Sequence, residues 1–235
     1  MSDPMESGPL KASARKSLYY SIAFPFFLAL MLFLPAGTWR WNKGLAFFIM
    51  FVVAMTISAA IIWKVNPVIF AARSRVQPGT KSWDRMLLRA LFLVMFAVLP
   101  VSAIDDARMH WSNLPLWLAI LGHMLMLDGV ALATWAQAVN RFFEPGVRIQ
   151  SERGHRVIDD GPYAFMRHPG YLAADLLFVG IALALGSLWG LALAVVLILI
   201  LVVRIGWEDR LLHEELPGYP EYAARVRYRL VPGVW

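Results

Sequence analysis

Cysteine is absent from the 235 residues, which excludes disulfides, thiolate metal sites and thiol catalysis. Charge is scarce as well, with only 16% of positions Asp, Glu, Lys or Arg. No Gly-rich nucleotide fingerprint, Gly-x-Ser-x-Gly elbow or His-Glu-x-x-His pair occurs, so soluble cofactor folds are excluded. The five histidines are scattered without ligand spacing, and no metal site is expected. Apolar residues, by contrast, make up 59% of the chain and ten are Trp, the composition of an integral membrane protein. The net charge of +6 does not point to nucleic acid, because the basic residues fall between apolar runs and form no single stripe.

Four apolar runs of membrane-crossing length are read at Leu18 to Ala36, Leu45 to Trp63, Leu87 to Ile104 and Leu116 to Val139. A fifth run, Leu172 to Trp207, would make about 54 Å of helix against a ~30 Å hydrocarbon core. It is therefore expected to fold back at Gly186-Ser187-Leu188-Trp189-Gly190 into a helical hairpin. The fold class that follows is all-α: a polytopic membrane protein of about six transmembrane helices, the last two paired. Sorting Lys and Arg by this scheme gives nineteen on one side and three, Arg40, Lys43 and Arg108, on the other. Both termini are then cytoplasmic, in the cell membrane if the source is bacterial. Trp39, Trp41, Trp111, Trp117 and Trp189 fall where a far-side aromatic belt belongs. Residues 1–114 hold the first three spans and 115–235 the remainder. The tail from Glu208 onward, with Pro217-Gly218-Tyr219-Pro220 and then Arg225, Arg227 and Arg229, is expected to form a short amphipathic helix closing over a cytoplasmic pocket.

Polar, cationic and aromatic side chains crowd together only between His155 and Tyr171, which reads as a cofactor cradle. Asp159 or Asp160 can cap a short helix starting at Gly161-Pro162, on which Tyr163 and Arg167 would share a face. Pro169 forbids a continuous helix, so the chain breaks at His168 and restarts with the N–H groups of Gly170, Tyr171 and Leu172 free to receive an anion. Arg204 and Glu208, four apart at the end of the last span, offer one cation and one anion; the alternative is a snorkelling arginine with its own salt-bridge partner. His168 is either a hydrogen-bonded structural group or an acid-base catalyst. His123, Asp128 and Asp175 lie within apolar runs. Asp175 has the dipole of a helix start to stabilise it, and Asp128 is a candidate for the floor of a substrate pocket.

The pattern His155-x5-Gly161-Pro162-Tyr163-x3-Arg167-His168-Pro169-x-Tyr171, a helical hairpin, Arg204-x3-Glu208, Gly218-Tyr219-x2-Tyr222 and Leu230-Val231-Pro232-Gly233 resembles the superfamily of isoprenylcysteine carboxyl methyltransferases and phospholipid methyltransferases. The likeness covers about residues 140 to 235. It implies an S-adenosyl-L-methionine-dependent membrane enzyme whose cofactor enters from the cytosol and whose lipophilic acceptor, a small molecule or a lipid-linked group, enters from the bilayer. Carried over by position, cofactor contacts fall on His155, Arg156, Val157, Ile158, Tyr163, His168, Pro169, Gly170, Tyr171 and Glu208, and the substrate-orienting arginine is Arg204. The catalytic set is Arg204, Glu208 and His168. Three departures stand out: Asp159-Asp160 where small or hydroxyl residues are usual, Ala173 for a common glycine, and Glu208-Asp209 for a Glu-Glu pair. Carboxyl methylation is the first expectation, with Arg204 holding the acceptor bidentately and no general base needed, since a carboxylate is already ionised at pH 7. Nitrogen methylation of a phospholipid headgroup, an NADPH-dependent reductase of steroid-reductase-like architecture and a membrane sensor without turnover are the alternatives.

Overall fold

A computed structural model describes residues 23–235, and no strand occurs among them. The first expected span lies partly outside the described residues, as do Lys11, Arg15 and Lys16. Its described part is α1, Ala23–Ala36. Then follow α2 (Asn42–Val65), a short α3 (Val68–Arg73), α4 (Ser82–Ala103), α5 (Leu116–Val139), α6 (Pro169–Ala184), α7 (Leu188–Glu215) and α8 (Tyr219–Arg225). Among the described residues four helices are long and apolar enough to cross a membrane: α2, α4 with its extension to Met109, α5 and α7. The other two apolar helices, α1 as described and α6, are shorter.

Close approach of α5 and α6 rests on glycine. A Cβ added at Gly122 would lie 2.2 Å from the Ala184 backbone nitrogen, and one at Gly180 would lie 2.4 Å from that of Met126. Gly129 meets Leu177 in the same way, so the backbones touch along the helix pair, as small residues permit in apolar surroundings. Ser58 of α2 and Thr134 of α5 share a buried hydrogen bond of 2.6 Å. After α6 the chain reverses at Gly186, whose φ of 76° is the left-handed conformation that glycine adopts without strain. The Ser187 hydroxyl then caps α7 by accepting from Gly190 N at 2.8 Å.

At that end of the molecule two carboxylates clasp the helices. Pro100 lies inside α4, which continues as a π-helix over Ile104–Met109. The turn brings fully buried Asp105 against Ser112 (backbone N 2.9 Å, hydroxyl 2.7 Å) and the Ser187 hydroxyl (2.6 Å). Asp106 holds the Trp41 indole N–H at 2.8 Å and Lys43 at 2.6 Å. Of the five Trp expected in a far-side aromatic belt, Trp39, Trp111, Trp117 and Trp189 are exposed, whereas Trp41 is buried at the start of α2.

Candidate active site

At the opposite end, His168 and Pro169 open α6 beside the last turns of α7. Tyr171 donates its hydroxyl to Glu208 in a short hydrogen bond, and His168 Nε2 lies 3.4 Å from Asp209. The broken turn and the acidic end of α7 therefore meet. Between them and the loop 140–168 lies a cavity of about 380 Å³, within the ~300–1,000 Å³ usual for small-molecule sites. All eleven residues expected from sequence line it: His155, Arg156, Val157, Ile158, Tyr163, His168, Pro169, Gly170, Tyr171, Arg204 and Glu208. Its other end is apolar and is walled by Leu88, Leu91, Phe92 and Met95 of α4, Ala174 and Phe178 of α6, and Leu197 and Leu201 of α7.

The loop differs in detail from the expected helix. Gly161 to Ala164 form a single 3-10 turn, and neither Asp159 nor Asp160 caps it: Asp160 makes no capping bond, and Asp159 reaches Arg225 at 2.8 Å. Tyr163 and Arg167 consequently do not share a helical face. The Tyr163 hydroxyl accepts from Asn140 at 2.9 Å, and its carbonyl accepts from Tyr222 of α8 at 2.7 Å, which anchors α8 over the cavity. Burial pushes the Tyr163, Tyr219 and Tyr222 hydroxyls above their ordinary range, so they remain protonated donors. The His155 ring packs tilted against Phe142, centroids 4.7 Å apart, and accepts from Gln150 N at 3.3 Å; burial lowers its pKa and favours the neutral ring. At the start of α6, the Tyr171 and Leu172 N–H groups turn back to the His168 carbonyl at 3.0 and 3.4 Å. Of the three donors expected to be free, two are thus engaged.

Arg204 departs furthest from expectation. It does not pair with Glu208; its Nε and Nη2 donate to Asp84 of α4 at 2.6 and 3.0 Å, and Nη2 donates again to the Pro145 carbonyl at 2.6 Å. Asp84 is completely buried and also accepts from Val147 N at 2.7 Å. With Nε and Nη2 committed, only Nη1 remains for a ligand, and bidentate capture of a carboxylate would require the brace to open. Asp128 is exposed and absent from the cavity wall, so it is no pocket floor. Asp175 lies beyond the first turn of α6, is buried, and has one carboxylate oxygen without a partner among the described residues. The helix dipole does not account for it.

Asp209 was visible in the sequence only as a departure from the Glu-Glu pair, yet it gathers Arg167 (3.0 and 3.1 Å), Arg229 (3.0 Å), Tyr219 (2.8 Å) and His168. The backbone N–H groups of Arg167 and His168 donate to the Tyr228 and Arg229 carbonyls at 3.0 and 2.9 Å. The C-terminal strap is thereby fastened across the break before Pro169. Glu144, also not foreseen, binds Arg148 at 2.8 Å and Arg153 at 3.3 Å and stiffens the loop over the cavity.

Residues 117–216, which span α5 to the end of α7, match the family described as phospholipid methyltransferase. The sequence is also 29% identical over 143 residues to protein-S-isoprenylcysteine O-methyltransferase B of Arabidopsis thaliana, covering 59% of this chain and 70% of that protein. Both likenesses fall within the isoprenylcysteine carboxyl methyltransferase and phospholipid methyltransferase superfamily that the sequence resembles. The matched region holds Tyr163, the broken turn, Arg204 and Glu208, while Asp84 and Arg73 lie outside it.

Proposed function

We propose that this protein is an integral membrane methyltransferase that uses S-adenosyl-L-methionine to esterify the carboxylate of a lipophilic acceptor, and that residues 115–235 form its catalytic core. The observation that carries the reading is the two-ended cavity, polar around Tyr163, Tyr171 and Glu208 and apolar between α4, α6 and α7. The polar end fits the cofactor. Glu208 is a carboxylate with only a neutral hydroxyl partner among the described residues, placed to balance a sulfonium or ammonium. His155 to Ile158 and Tyr163 provide stacking and hydrogen-bonding groups of nucleoside scale, and the Gly170 N–H stands at a helix start that favours a carboxylate. His168, buried and tied to Asp209, holds the break in place rather than moving a proton.

When bound, the cofactor supplies an electrophilic methyl on a cationic sulfur. Glu208 and the tyrosines hold that cation, and α8 with the strap excludes water, which strengthens every charge interaction inside. A carboxylate acceptor needs no general base, so alignment in the closed cavity provides much of the rate. The acceptor's hydrocarbon occupies the apolar end, entering from the bilayer through six spans whose last two form a hairpin and whose termini are cytoplasmic. The match to a phospholipid methyltransferase family supports a second reading, nitrogen methylation of a headgroup. Transfer of labelled methyl to S-farnesyl-N-acetylcysteine separates the two. A base-labile methyl ester is expected, and base-stable label on phospholipid would favour the amine acceptor.

A further inference from the structure

Resting on the carboxyl-methylation reading, we propose that Arg73 of α3 is the residue that receives the acceptor's anionic group, and that it selects acidic over neutral acceptors. Arg204 is neutralised by Asp84, Arg167 by Asp209, and Arg148 with Arg153 by Glu144 and Glu152. Among the described residues Arg73 lines the cavity with no carboxylate partner and no hydrogen bond, its guanidinium 5.0 Å over the Phe143 ring. Phe143 in turn packs on the start of α6, since a Cβ at Gly170 would come within 2.6 Å of its ring. The unpaired cation is therefore held beside the broken turn by an aromatic platform, which orients it without neutralising it. Arg73 keeps solvent access, yet desolvation of its guanidinium and the nearby charge of Arg204 push it below its ordinary value, and it remains charged at neutral pH.

Charge accounting makes the assignment specific. Glu208, Arg73 and Arg156 are the charged groups of the cavity wall with no charge partner among the described residues, and Arg156 belongs to the expected cofactor segment, which leaves Arg73 for the acceptor. The cofactor carries net positive charge and matches Glu208. A carboxylate acceptor carries one negative charge and matches Arg73. Unlike Arg204, Arg73 has its whole guanidinium fork available, so it can take a carboxylate through two parallel hydrogen bonds.

The test uses the full chain in lipid nanodiscs with two probes, S-farnesyl-N-acetylcysteine and its carboxamide, whose binding is followed at equilibrium alongside that of S-adenosylhomocysteine. Wild-type protein should bind the carboxylate at least about tenfold more tightly than the amide, the size of a charge-assisted hydrogen bond. Arg73→Gln should erase that preference while leaving amide and S-adenosylhomocysteine affinities within about twofold, and Arg73→Lys should retain part of it. Unchanged amide affinity shows that the variant is folded. If Arg73→Gln does not fold, Arg73→Lys decides, because loss of the bidentate fork should still reduce the preference. No carboxylate preference in the wild type, a preference unchanged in the variants, or a selective loss of S-adenosylhomocysteine binding overturns the proposal. Failure of methyl transfer by wild-type protein that still prefers the carboxylate would instead refute the enzymatic reading alone.

Discussion

Replacing Asp84 by alanine should be among the most destabilising single changes in this protein. The carboxylate is fully buried and accepts three N–H bonds, two from Arg204 of α7 and one from Val147 of the cavity loop. Removing it strands the buried Arg204 charge and loosens α4, α7 and the loop together. Breaking a buried pair from one side costs about 3–5 kcal/mol. The double variant Asp84→Ala, Arg204→Met removes both charges and leaves chiefly the Val147 N–H unpaired, at about 1–3 kcal/mol. The double variant should therefore be more stable than the single one, a sign that holds even if the magnitudes differ in a bilayer. Equilibrium unfolding in mixed micelles, followed by Trp fluorescence, reads both. A cost below about 1 kcal/mol for Asp84→Ala, or a double variant no better than the single, would refute the view that Arg204 is first a brace between α4 and α7.

Gly122→Ala should cost about 1–3 kcal/mol, because its Cβ would press on the Ala184 backbone and force α5 from α6. Gly206→Ala, with open space around it, should be neutral or slightly stabilising; similar shifts in unfolding midpoint for both would argue against the glycine contact. Asp209→Asn should release the strap, raising amide hydrogen exchange roughly tenfold or more over residues 226–235 while α5 and α6 stay protected. Uniform protection would mean that Asp209 is not its anchor. The lowered pKa of His155 favours the neutral ring in the fold, so its contribution is complete above the ordinary His pKa near 6.5 and is lost as pH falls below it. Unfolding midpoints measured from pH 8 to 5 should fall in that window more for wild type than for His155→Gln, and identical profiles would contradict the assignment.

Much of this architecture is legible in the chain because membrane helices announce themselves as uninterrupted apolar runs. The run 172–207 is too long for one crossing, and the structure divides it into α6 and α7 on either side of Gly186. Pro169 likewise dictates the break at which the cavity forms. The partnerships of charged groups were not legible. Arg204 and Glu208 sit four apart and both reach the cavity, but Arg204 is claimed by Asp84, 120 residues earlier, and no local spacing rule encodes that choice. Asp209 next to Glu208 looked like a variant acidic pair; rotation by one helical position instead turns it to the arginines of the loop and strap. Arg73 is one of six basic residues between positions 64 and 89, and what distinguishes it is what its neighbours leave unpaired.

Equilibrium binding of S-adenosyl-L-methionine to purified wild-type protein and to Glu208→Gln, with NADPH as comparator, tests the central claim most directly. Wild-type protein should bind the sulfonium cofactor and not NADPH, and Glu208→Gln should weaken that binding at least about tenfold without lowering the unfolding midpoint. NADPH binding with no affinity for S-adenosyl-L-methionine, or full affinity in Glu208→Gln, would contradict the account.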